Sequence, residues 1–241
     1  MSKVISILTP TRQRPQRLEQ FIKSVYQCSA EKDRVEMLMY VDADDPAKEL
    51  YLDFFEHCQT EFHDFLRIHF IFGAPKSVSQ SWNELYIRSV GDIIIMGNDD
   101  LIYRTSRWDG IVDSTTKVYE DDIYCMWFND GRYKETICTF PILSRKWVNT
   151  LGYIEPFLFE HFNCDLWTWQ IGLLIDRLNY IPDILVEHRH PDTGKSKADE
   201  TTNRNTRGGR PNRDEAIFAK FERYRILDAS LLNDVIKASK R

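Results

Sequence analysis

The chain has 241 residues, 42% of them hydrophobic and 29% charged, with a net charge of −5 at neutral pH. That balance supports a real core and excludes both an intrinsically disordered chain and a uniformly basic nucleic-acid binder. No stretch approaches the ~20 apolar residues of a membrane-spanning helix, and the first residues lack the order of charge, long apolar run and cleavage site of a secretory signal.

Residues 3–8 read as a short buried strand that stops at Thr9-Pro10-Thr11. Residues 15–26 place Leu18, Phe21, Ile22 and Val25 at helical spacing behind Pro15. A second strand over 37–41 ends in the acidic turn Asp42-Ala43-Asp44-Asp45-Pro46. A helix over 50–65, a strand over 68–72, a helix over 79–90 and a strand over 93–96 follow. Continuous apolar strands alternating with amphipathic helices predict an α/β fold, a mostly parallel sheet covered on both faces. Beyond residue 101 the pattern loosens. Strands are expected over 123–128 and 136–143, a short helix over 144–150, a strong helix over 164–179 and a late strand over 184–186. Residues 192–213 have almost no apolar content and read as a mobile loop, and 216–238 as one or two terminal helices. Cys28, Cys58, Cys125, Cys138 and Cys164 form no CxxC pair. Reduced thiols in a cytoplasmic protein are therefore expected, not a disulfide framework or a zinc cage.

In parallel sheets, ligands gather at the carboxyl ends of the strands. Here those ends carry Thr9-Pro10-Thr11-Arg12, Asp42 to Asp45, Gly73 to Ser77 with Lys76, and Asn98-Asp99-Asp100. Neighbouring acidic turns repel each other unless a cation or a hydroxyl-rich ligand sits between them. Asp and Asn also favour turns on their own account, which explains any one of these turns better than the whole set.

In order and spacing these segments resemble the family 2 glycosyltransferases with the GT-A fold. The resemblance rests on Thr9-Pro10-Thr11-Arg12-x-Arg14-Pro15, Val41-Asp42-Ala43-Asp44-Asp45, Ser79-x-x-x-Asn83, and a strand running into Asn98-Asp99-Asp100, similar to the Asp-x-Asp signature. It spans roughly residues 3–190 and is strongest in the first hundred. It implies a single GT-A domain over 1–190, with a donor half to about 103, an acceptor half from about 104, the loop 191–213 and a C-terminal helical extension over 214–241. It also implies a nucleoside-diphosphate sugar donor, UDP-linked by family frequency, and Mn²⁺ or Mg²⁺ to neutralise the departing diphosphate. Asp42 would contact base or ribose, assisted by Asp44 or Asp45. Thr9, Pro10, Thr11 and Arg12 would shape the nucleotide pocket, and Asn83, Asn98 and Asp99 belong to the same donor side. Lys76 is a partner for phosphate or base, or an ordinary solvated lysine. Asp100 stands at the metal-binding end of the signature, while Asn98 replaces its usual first Asp with a weaker, neutral ligand. A late histidine completes the metal shell in related enzymes. His188 is the first choice and His190 the second.

An inverting transfer needs a base for the acceptor hydroxyl. The segment from Gly152 to Asp165 resembles the family's acceptor side, making Asp165 the candidate base and Glu160 the reserve; helix capping is the competing role for Asp165. Residues 189–213 carry seven basic against three acidic side chains, net +4, leaving −9 on the rest of the chain. Such an arm could close over the donor diphosphate as a lid, grip an anionic acceptor such as DNA, or be merely solvated. The Gln-x-x-Arg-Trp motif and membrane helices of processive synthases are missing, so an enzyme without membrane insertion, adding one or few sugars, is expected. Compact size and a basic arm fit a phage-type enzyme acting on modified bases in DNA, with a glycan or envelope acceptor as the alternative. A nucleotidyltransferase would carry a Gly-rich loop after the first strand, where this chain has none. A non-catalytic module on a degenerate GT-A scaffold draws its support from Asn98.

Overall fold

A computed structural model describes residues 2–240. Its centre is β1 (Ile5–Thr11), flanked in parallel by β2 (Val35–Asp42) and β4 (Ile93–Met96), with β3 (Arg67–Gly73) parallel to β2. β1 does not stop at Thr9. Thr9, Pro10 and Thr11 continue the ladder with Met39, Tyr40 and Val41. Leu8 turns its carbonyl toward β4, accepting from Gly97 N, so Pro10, two residues on, faces the same side, past the last β4 pair. Its missing N–H therefore costs no ladder bond.

Helices α1 (Pro15–Cys28), α2 (Lys48–Glu61) and α3 (Val78–Arg88) connect these strands. On one face Leu18, Phe21 and Ile22 of α1 pack against Ile5, Ile7 and Met39; on the other, Trp82 and Leu85 of α3 pack against Leu8 and Leu38. The period-two alternation of these strand residues, apolar on both faces, is what requires helices on both sides.

The second half extends the sheet with β5 (Leu101–Tyr103), β6 (Cys125–Asn129), β7 (Ile142–Ser144) and β8 (Leu178–His188), giving the order β3-β2-β1-β4-β7-β6-β8-β5. β7 is antiparallel to β4 and β6, β8 parallel to β6, and β5 antiparallel to β8. Helices α4 (Trp108–Thr116), α5 (Arg145–Leu151) and α6 (Cys164–Ile175) complete this half. The expected strand over 136–143 shrinks to β7, because the chain before it is a turn built on Asp130, whose Oδ1 accepts from the N–H groups of Arg132, Tyr133 and Lys134. The expected helix to 179 ends at Ile175, where Asp176 adopts a left-handed φ of 55°. Leu178 then starts β8 so close to Gly172 that a Cβ there would lie 2.3 Å from the leucine.

Residues 192–213 are a correction. Only 194–199 are irregular; the rest holds a short 3-10 turn, α7 (Glu200–Thr206) and the start of α8 (Arg210–Lys220), followed by α9 (Glu222–Ser239). The absence of apolar residues misled because polar contacts, not a hydrophobic face, fasten this strap. Asp199 caps α7 by accepting from Thr202 N at 2.9 Å. Fully buried Asp214 of α8 accepts from the backbone N–H groups of Glu160, His161 and Phe162. α9 docks on α6 with the Arg225 guanidinium 4.9 Å from the Trp167 ring centre, and the Tyr153 hydroxyl donates to Asp228. Among the described residues no helix is long and apolar enough to cross a membrane.

Candidate active site

A cleft of about 560 Å³ opens over the carboxyl ends of β1, β2 and β4, with Arg12, Asp42, Lys76 and Asp99 on its sheet side and Glu160 and Arg204 across from them. Pro10, Thr11 and Asn98 also border it. Arg12 donates to Asp42 at 2.8 Å and pairs with exposed Asp44 at the rim. Asp42 Oδ1 accepts from Lys76 N at 3.3 Å, and the Lys76 ammonium lies 5.4 Å from the Tyr40 ring centre. Asp45, buried in the same turn, accepts from Gln13 N and Ala47 N.

Deeper in the cleft lies Arg14. Its NH1 donates to Asp99 at 3.0 Å, while Nε and NH2 make a fork to Asp199, each at 2.8 Å. Thr11 Oγ1 donates to Asp99 at 2.8 Å, and the Tyr51 hydroxyl accepts from Arg14 N at 2.8 Å. Burial pushes the Asp99 carboxyl up to about 6, against the pull of Arg14 and with the help of neighbouring Asp100. Asn98 spends its amide oxygen on Asp99 N at 2.8 Å, a local turn bond.

Asp100 faces elsewhere. It borders a second cavity of about 220 Å³ together with Arg17, Arg189 and Ser196. The Leu101–His188 register of β5 and β8 brings His188 Nε2 to 3.5 Å from Asp100 Oδ2. Burial would raise the Asp100 carboxyl, but the imidazole and Arg14 hold it below the usual carboxylate range. Asp100 Oδ1 and His188 Nδ1 are both buried without a hydrogen-bond partner. His190 turns aside to Asp192, 3.3 Å away. Among the described residues no three His, Cys, Asp or Glu side chains converge on one point. Two converging ligands with an unsatisfied carboxylate oxygen nevertheless fit a hard cation that takes its remaining ligands from phosphate and water.

Asp165 sits in the first turn of α6, outside the cleft lining, with Oδ1 accepting from Leu166 N at 2.9 Å. Burial lifts its carboxyl to about 6, opposed by those backbone N–H groups and by the charge of His188. Glu160, by contrast, is held by Arg210 at 2.7 Å and by Arg213. Beside it His161, its imidazole pushed down to about 4 by burial and by Arg14, contacts Asn205 of α7 at 3.2 Å.

Besides exposed Asp44, two donor-side residues lie outside the cleft lining. Thr9 is fully buried against Gly97, where a Cβ would stand 2.6 Å from its hydroxyl. Buried Asn83 donates to the carbonyls of Ser79 and Glu155 and accepts from Ile154 N at 2.9 Å, tying α3 to the 152–156 segment. Arg14, Tyr51, Asp199 and Asp214 were missed as organising residues. Only Arg14 carried a signal, its place in Thr9-Pro10-Thr11-Arg12-x-Arg14-Pro15.

The fold is shared with solved structures. A mannosyltransferase of Pyrobaculum calidifontis, in complex with GDP-Man and Mn²⁺, matches 99% of this chain and 74% of its own at 12% identity, TM-score 0.67. The fold is GT-A. Residues 1–349 of TarS from S. aureus, in complex with UDP-GlcNAc, match 78% of this chain at 11% identity, TM-score 0.57; GalNAc-T7, with UDP, GalNAc and Mn²⁺, matches 78% at 10% identity, TM-score 0.62. The GT-A chain described here spans 59% and 44% of those two. No protein-family model and no curated protein sequence matches it.

Replacing Asn83 separates scaffold from donor contact. Asn83→Ala leaves Ile154 N and the Glu155 carbonyl unpaired, and should cost about 2–4 kcal/mol of stability in urea denaturation. Nucleotide affinity of the folded protein should remain unchanged.

Proposed function

We propose that the protein is a metal-dependent glycosyltransferase that moves a sugar from a nucleoside-diphosphate sugar, UDP-linked, to an acceptor hydroxyl with inversion. The observation that carries this reading is the polar cleft at the strand ends of a GT-A sheet, with Asp42 at one end and the Asp100–His188 pair beyond Asp99 at the other. Its support from comparison is that the matched structures hold GDP-Man with Mn²⁺, UDP-GlcNAc, or UDP with Mn²⁺.

Asp42 accepts from the ribose or base, Arg12 fixes that carboxylate, and Lys76 with Tyr40 closes the nucleoside end. Asp100 and His188 are the residues that would hold Mn²⁺ or Mg²⁺, which when bound offsets charge on the leaving diphosphate. Asp165 is the base. A carboxyl raised to about 6 is ionised at neutral pH yet basic enough to take a hydroxyl proton. Glu160 serves less well because Arg210 and Arg213 already occupy it. The amide of Asn98, spent on its own turn, is the specific observation that favours the second reading, a donor-binding module without catalysis.

The acceptor in this reading is a modified base in DNA. Among the described residues, Arg204, Arg207, Arg210 and Arg213 share Asp42, Glu200 and Glu160 as their acidic partners, and the first, third and fourth border the cleft mouth. A glycan acceptor needs no such excess of guanidinium. Five unpaired cysteines suit a cytoplasmic, reducing setting.

Four measurements test the assignment. Asp165→Asn should lower kcat about 10²–10⁴-fold while UDP affinity holds, and the intact enzyme should lose kcat/KM tenfold per pH unit below about 6, where Asp165 is protonated. A flat profile between pH 5 and 7 removes Asp165 from the role. Asp100→Ala should abolish Mn²⁺ binding followed by electron paramagnetic resonance; undiminished Mn²⁺ uptake refutes the metal assignment. Neutralising Arg204, Arg207 and Arg210 together should lower the salt slope of DNA binding by about 2–3, and an intact protein that binds no DNA contradicts that acceptor.

A further inference from the structure

The strap competes for groups that a donor would use. Thr201 Oγ1 donates to the Arg12 carbonyl at 2.7 Å, Arg204 reaches Asp42 at 3.5 Å, and Asp199 takes the Arg14 fork. The fork is the telling contact. Two parallel N–H donors on one guanidinium edge match a carboxylate or a phosphate equally well. The opposite nitrogen is anchored on Asp99, only 3% exposed and bonded by Thr11, whereas Asp199 is 30% exposed and belongs to a segment with no apolar anchor. Of the two carboxylates on Arg14, Asp199 is therefore the exchangeable one.

Position gives the exchange a purpose. Asp99 borders both cavities, Ser196 of the strap borders the smaller one and Thr201 the larger. Asp199 lies between those two strap residues and so stands where the donor cleft would join the cavity of Asp100. A ligand that places a nucleoside at Asp42 and a diphosphate toward Asp100 must pass Arg14.

We propose that Arg14 is a diphosphate-binding residue of the donor site, and that Asp199 holds its place in the free protein as an internal stand-in for the phosphate. This rests on the nucleoside-diphosphate reading of the cleft. The strap is accordingly released by the ligand at Asp199, not drawn down by it. Thr202 Oγ1 reinforces the latch by donating to Asp199 at 2.9 Å while accepting from Arg14 NH2 at 3.0 Å.

The test uses the full chain, with inorganic pyrophosphate and UDP as separate probes in calorimetry, and trypsin as a probe of Lys195, Lys197 and Arg204. Asp199→Asn should bind pyrophosphate about 5–10-fold more tightly, and Arg14→Gln about 10-fold or more weakly, in either background. Saturating pyrophosphate should speed cleavage within the strap. Should Asp199→Asn fail to fold by thermal melt, Thr202→Val weakens the same latch and should tighten pyrophosphate about 2–3-fold. Pyrophosphate binding that is unchanged or weakened by the latch variants, or that protects the strap, overturns the inference while UDP binding preserves the donor reading. Failure of both UDP and pyrophosphate to bind overturns both.

Discussion

A carboxylate buried at the end of a parallel strand must be met by a cation, by hydrogen-bond donors or by a proton. Asp99 is met by Arg14, and the other features of the site follow from how that guanidinium is held. Its backbone N–H is fixed by Tyr51 of α2, its NH1 by Asp99, and its remaining edge by Asp199 from a segment 185 residues later in the chain. One residue thus joins the β1 turn, the end of β4, α2 and the strap. Breaking a buried pair of this kind by removing one partner costs about 3–5 kcal/mol, because the survivor keeps its burial without its counter-charge.

The same principle explains the uneven charge of the chain. The −9 body concentrates part of its acidity where strands end, in Asp42, Asp45, Asp99 and Asp100, and the +4 segment returns over those ends, setting Arg204 on Asp42 while its own Asp199 pairs with Arg14. What composition alone presents as a basic arm is, in three dimensions, a wall of the cleft: Arg204 stands on Asp42, and Arg210 and Arg213 on Glu160. These partly exposed pairs contribute little stability singly. Their value lies in placing cations around a cleft suited to an anionic ligand, which can exchange with carboxylates at small net cost.

Legibility in the sequence followed local physics. Runs such as Ile93–Met96, apolar on both faces, were readable to the residue because nothing but a doubly covered strand suits them. β5, three residues long, owes its existence to pairing with β8, and a long-range pairing leaves no periodic trace. α7 has no hydrophobic face to reveal it; its capping residue Asp199 is identified only by a partner, Arg14, at the other end of the chain. The site shows the same division. Arg12, Asp42, Lys76 and Asp99 end or follow strands and therefore border the cleft. Asn83 and Thr9 satisfied the same family pattern while the structure uses them inside the scaffold. Motif spacing reports which face of an element a residue occupies, but not whether a second segment has already taken its hydrogen bonds.

The central claim is that the cleft receives a nucleoside diphosphate whose phosphates extend toward Asp100 and His188. Calorimetric titration of the intact chain with UDP, in Mn²⁺ and then in excess EDTA, tests it most directly. The account predicts one UDP per chain, bound about tenfold or more tightly when the cation is present. No heat of UDP binding in either condition would contradict it.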